Sequence, residues 1–72
     1  MTKKDRVAVG KRIQHIRKEI LSKTQVEFCK TLKLKQAAIS KLERGESMPT
    51  VETLLILKKK SGKSIDWILT GV

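Results

Sequence analysis

Residues 25–44 read QVEFCKTLKLKQAAISKLER, and Gly45 closes the stretch. Its apolar positions are few and regularly placed. Phe28 and Leu32 stand one helical turn apart, with the small Cys29 beside them. Leu34 sits in a short polar break. Ile39 and Leu42 then lie three apart, and residues at i and i+3 are neighbours on a helix surface. The pattern is that of two short helices joined by a tight turn, Lys33-Leu34-Lys35, with enough apolar contact to lock them at a steep angle. At about 100° per residue, Ala37, Ser40, Lys41 and Arg44 fall opposite Ile39 and Leu42. Gln36 stands at the N-terminal end of the same helix. Small side chains mixed with ones that make paired hydrogen bonds are what the DNA major groove accepts.

Upstream, Thr24-Gln25-Val26-Glu27 matches a capping box, with Thr24 at N-cap and Glu27 at N3. This starts helix two, which ends near Leu32; helix three spans about Gln36 to Arg44. Before them, Val9, Ile13, Ile16 and Ile20 form one apolar stripe, predicting a first helix from about Asp5 to Leu21. Arg6, Lys11, Arg12 and Lys18 lie off that stripe. Gly10 inside it costs roughly 1 kcal/mol against Ala, so another helix is expected to approach there. Downstream, Gly45 suits a left-handed helix end and Pro49 forbids an early continuation. Thr50 caps a fourth helix, with Glu52 in its first turn and Leu54 and Leu57 facing inward, stopping by Gly62. Ser64 caps a last short helix holding Asp66, Ile65, Ile68 and Leu69. With no strand pattern, repeat or linker, the expectation is a five-helix, all-α single domain over residues 1–72.

Size and charge narrow the function. A chain of 72 residues folds to a radius of gyration of about 11 Å, too small for a deep cleft beside a core. Seventeen Lys and Arg against seven Asp and Glu give a formal charge of +10, which suits a polyanionic partner. Cys29 is the only cysteine, so no disulfide and no zinc set forms within the chain. It reads instead as a small core residue. MTKKDRVAVGKR has no apolar core of an export signal, and no run approaches a membrane span. A cytoplasmic protein is expected. One His, one Cys and no Tyr compose no catalytic set, and Gly-rich phosphate loops and paired metal ligands are absent. The expectation is a non-enzyme without cofactor or metal. His15 falls on the polar side of helix one, and Trp67 reads as core.

The window resembles the helix-turn-helix of the lambda Cro/CI (XRE-type) repressor family. Counting from Gln25, the motif's apolar places hold Phe28, Leu32, Leu34, Ile39 and Leu42, and its small place holds Cys29. ISKLERGESMPT, Ile39 to Thr50, is similar to the family's exit from the recognition helix, and SIDWILTG, Ser64 to Gly71, to its closing helix. The resemblance runs from Gly10 to Gly71, with a one-residue insertion before helix two. It implies a lambda-repressor-like fold, with helix-turn-helix at about 24–44. Four positions depart from the pattern. Lys33 stands where Gly is usual, at a residue that often needs φ > 0. Lys35 replaces the Ser or Thr cap of the recognition helix. Lys58 and Ser61 replace Ala and Leu on helix four.

Residue roles follow. Gln36 is expected to read adenine or guanine edges, Ala37 to meet a thymine methyl, and Lys41 to reach guanine O6/N7 or a phosphate, with Ser40 on the same base-facing surface. The N-terminus of helix two, at Thr24, offers free N–H groups to a phosphate. The resemblance gives Gln25 a phosphate contact and a bridge to the recognition helix. Lys33, Lys35, Arg44 and Ser47 are further phosphate candidates. The resemblance also implies a structural ion pair between Arg17 and Glu43. Lys58, Lys59, Lys60 and Lys63 are expected on the far side, for steering or solubility.

Together these describe a sequence-specific regulator of transcription, a Cro-like repressor. It would bind a palindromic double-stranded operator as a homodimer that is weak without DNA, with leftover apolar residues Ile56, Trp67, Ile68 and Val72 as the candidate interface. An interaction module, such as an antitoxin of a toxin–antitoxin pair, is the alternative. RNA binding is disfavoured, since Phe28 and Trp67 are the only Phe, Trp or Tyr residues and no stacking platform results.

Overall fold

Local hydrogen bonding at the helix starts explains where the chain turns into helix. In a computed structural model describing residues 1–72, α1 spans Lys3–His15, α2 Gln25–Leu32, α3 Gln36–Glu43, α4 Val51–Ser61 and α5 Ile65–Thr70. The Thr24 side chain accepts from the Glu27 N–H while the Glu27 carboxylate accepts from the Thr24 N–H. Thr2 and Asp5 form the same reciprocal pair. Asp5 is therefore the third helical residue of α1, not its first, and α1 begins two residues earlier than its apolar stripe announces. Thr50 caps α4 through the Thr53 N–H, and Ser64 caps α5 through the Trp67 N–H.

These caps carry a pH dependence. Hydrogen bonds from the Thr2 and Thr24 backbone N–H groups hold the Asp5 and Glu27 carboxyls below their ordinary values of 3.8 and 4.5. A depressed folded pKa means the stabilisation is present above the unfolded value and is lost as pH falls through the folded one. Thermal stability is expected to decline on acidification below those ordinary values. Glu27→Gln, which keeps a capping-box side chain, should flatten its share of the decline in a melting-temperature series.

α1 does not continue as a plain α-helix to Leu21. Residues Ile16–Ile20 form a π-helical turn, with the Leu21 N–H bonded to the Ile16 carbonyl at 2.9 Å. Ser22 then takes a left-handed conformation, φ 51°. A π turn accommodates one residue more than an α turn, so the chain takes an extra residue between α1 and α2 without leaving the helix. The wide turn leaves both Ile16 and Arg17 buried.

Val9, Ile13 and Ile16 meet Phe28 and Leu32 of α2, Ile39 and Leu42 of α3, Leu54 and Leu57 of α4, and Ile68 of α5 in one core. The radius of gyration is 10.8 Å. Gly10 marks the closest helix approach: a Cβ there would lie 2.5 Å from the Leu42 carbonyl oxygen and 2.7 Å from that of Glu43. Ile68 is fully buried, so it is core and unavailable to an interface; it is also the residue whose carbonyl accepts from Arg12 of α1. Trp67 is only half-buried, its ring 6.1 Å from that of His15 and 4.7 Å beneath the Lys63 ammonium. Cys29 is likewise half-buried, with its thiol donating to the Gln25 carbonyl. Ser61 donates to the Leu57 carbonyl and accepts from the Lys63 N–H, thereby serving the end of α4.

The turn between α2 and α3 is strained at Lys33, φ 57° and ψ 42°. Lys35, at the N-cap of α3, makes no side-chain cap bond. Lys33→Gly relieves a left-handed penalty of roughly 1 kcal/mol, less the larger unfolded entropy of Gly. Lys35→Ser supplies a cap that contributes about 1 kcal/mol. Denaturant unfolding of the double variant is expected to give a higher midpoint than either single change.

Candidate nucleic-acid interface

α3 is held by its buried edge and free on its outer one. Ile39 and Leu42 are buried, whereas Gln36, Ala37, Lys41 and Arg44 are exposed. Because the helix is only eight residues long, its aim depends on what grips it, and the grip is a polar network. Arg17 donates from Nε to Glu43 Oε2 at 2.7 Å and from Nη2 to Glu43 Oε1 at 3.1 Å, a two-point contact. The side chains retain only 8% and 4% of their exposure. Arg17 Nη1 also donates to the Lys23 carbonyl, and Gln25 Nε2 to Glu43 Oε1. Ser40 Oγ then donates to Gln25 Oε1 at 3.0 Å. One chain of bonds thus runs from the end of helix one through the start of α2 to both turns of α3.

This network engages two of the expected contact residues. One Nε2 proton and the Oε1 of Gln25 are engaged inside the protein, and the second Nε2 proton stands as a donor beside the backbone N–H groups at the start of α2. Ser40 is half-buried and its hydroxyl proton is committed to Gln25, so it links α2 to α3. The bond to Ser40 was not legible from spacing; both residues are common on helix surfaces, and only the crossing of α2 and α3 brings them together.

Around α3, Thr24, Lys33 and Lys35 are exposed and Ser47 is half-buried. Arg44 is paired with Glu46, Nε to Oε2 at 2.6 Å, with more than half of each side chain exposed. The hydrogen bond from Arg44 holds the Glu46 carboxyl below its ordinary value, and the same bond raises the guanidinium. Exposed pairs of this kind are worth little, so a phosphate competes readily for the arginine. Lys59 and Lys60 do not lie apart from this region. They line one shallow concavity with Lys30, Thr31, Ile56 and Lys33, because the end of α4 packs beside the end of α2. No three His, Cys, Asp or Glu side chains converge in a metal-ligating group.

A helix-turn-helix family model matches residues 13–68, which takes in the π turn, α2 to α4 and most of α5. The chain belongs to the XRE-type helix-turn-helix family. It is 40% identical over 65 residues to the HTH-type transcriptional regulator DicA of Escherichia coli (strain K12), an alignment covering 90% of this chain. The chain spans about half, 47%, of that relative's length. No solved structure matches it significantly. No helix is long and apolar enough to cross a membrane.

Proposed function

We propose that the protein is a sequence-specific double-stranded DNA-binding regulator of transcription, a Cro-like repressor that reads the major groove with α3. The observation that carries this reading is the outer face of α3, with Gln36, Ala37 and Lys41 exposed on a helix whose inner face is clamped by the Arg17–Glu43–Gln25–Ser40 network. Family membership and the DicA relative support it. Gln36 and Lys41 serve as base readers and Ala37 as a thymine-methyl contact. The α2 N-terminus, Lys33, Lys35, Arg44 and Ser47 serve as phosphate ligands that set register without specifying sequence. Two copies on a palindromic operator would place their α3 helices roughly 34 Å apart, one turn of DNA.

Titration of duplex DNA at several salt concentrations tests the reading. Displacement of counterions from about 6–10 phosphates gives a steep salt slope, and selection from random duplexes should return a palindrome. A flat slope would favour an interaction module such as an antitoxin. Lys41→Ala is expected to relax discrimination at one operator position by about 1–3 kcal/mol. Equal loss on every sequence would instead make Lys41 a phosphate ligand.

A further inference from the structure

α4 shows solvent a face to which the fold assigns no partner. Val51 and Leu55, one turn apart, are 72% and 51% exposed. Glu52, Lys58 and Lys59 are exposed beside them. At about 100° per residue these five fall within an arc of about 120°, opposite the buried Thr53, Leu54 and Leu57. Along the axis an acid comes first, leucine stands near the middle, and lysines come last. Neither Glu52 nor the lysines enter an ion pair, since the chain's two pairs are Arg17–Glu43 and Arg44–Glu46.

A surface in that order is complementary to itself when two copies run antiparallel. A two-fold axis through Leu55 sets leucine on leucine and Glu52 opposite the partner's Lys59, and it repeats the contact on the other side, as an isologous interface requires. Val51 then lies against the aliphatic stem of Lys58 of the other copy. We propose that the α4 outer face is the contact between two copies of this chain. The inference rests on the dimeric reading above and supplies its interface, in place of the buried Ile68. Two apolar side chains per copy make a small contact, the kind found in weak, transient association. That suits a dimer completed on DNA.

Sedimentation of the protein alone at increasing concentration, with and without added salt, tests it. Leu55→Asp, at an exposed site, should leave circular dichroism and melting unchanged and weaken self-association about ten-fold or more. Glu52→Lys should weaken it too. Lys59→Glu is the decisive variant. It lowers the formal charge from +10 by two, so relief of general repulsion would strengthen association, whereas loss of the cross-copy pair weakens it about ten-fold. The double change Glu52→Lys with Lys59→Glu should restore it. Independently, Leu55→Cys in a Cys29→Ala background should form a disulfide-linked dimer on mild oxidation. Unchanged association in Leu55→Asp, strengthening in Lys59→Glu, or no dimer from the cysteine variant would overturn the interface. None of these depends on DNA: a steep salt slope in duplex binding with no α4 contact would sink the interface and leave the DNA-binding reading standing.

Discussion

Arg17→Ala is expected to lower unfolding free energy by roughly 3–5 kcal/mol, the typical loss when one partner of a buried pair is removed. Three groups each lose a donor at once: both Glu43 oxygens and the Lys23 carbonyl. The Gln25 amide alone remains to satisfy a carboxylate that is 4% exposed. For 72 residues the total stability expected from per-residue averages is roughly 4–11 kcal/mol. A single side chain therefore governs a large part of it. Denaturant titration should show a lower midpoint, and below about 1 kcal/mol of loss the network would have to be regarded as peripheral. A cycle with Glu43→Gln separates the pair from its surroundings, because the amide still accepts from one arginine N–H but carries no charge. Strong coupling between the two sites is the expected result. Duplex DNA affinity should fall further than stability does, since α3 loses the bonds that orient it.

Gly10→Ala is the second large effect. Two terms oppose each other. Alanine gains roughly 1 kcal/mol of helix propensity over glycine. Against this, its Cβ would lie 2.5, 2.7 and 2.9 Å from three backbone atoms of Leu42 and Glu43. These are main-chain atoms, so no rotamer change relieves the overlap, and α1 and α3 must separate. Overpacking typically costs about 1–3 kcal/mol, and the separation also lengthens the Arg17–Glu43 bonds. A net loss of stability is expected by thermal melting, with weaker DNA binding at temperatures where the variant is still folded. A variant more stable than the parent would mean that the close approach of the two helices has slack.

Much of this arrangement was legible in the sequence because local chemistry specified it. Thr24 and Glu27 fixed the start of α2 through two hydrogen bonds three residues apart, and Gly10 announced a close helix contact by its low propensity within an apolar stripe. Family resemblance pointed to Arg17 and Glu43, residues 26 positions apart, which no periodicity connects. What stayed hidden depends on longer geometry. The π turn differs from an α turn by the reach of a few hydrogen bonds and leaves the apolar stripe almost intact. Ile68 looked like spare surface because α5 is only six residues long, and its burial is decided by α1 and α4. Periodicity puts Lys59 and Lys60 on the far side, because sequence distance says nothing of how the ends of α2 and α4 pack. The Ser40 hydroxyl, expected beside Lys41 on the outer face, is drawn to Gln25 by the helix crossing.

Trp67 is the only tryptophan, and the chain has no tyrosine. It lies on α5 between the His15 ring and the Lys63 ammonium. The molecule therefore carries a single intrinsic fluorophore at the seam where its last helix meets its first. Emission excited in the near ultraviolet reports that seam alone, free of overlapping signals. A red shift that precedes the loss of helical ellipticity on heating would identify α5 as the part that lifts first, and coincident curves would make the whole chain one cooperative unit.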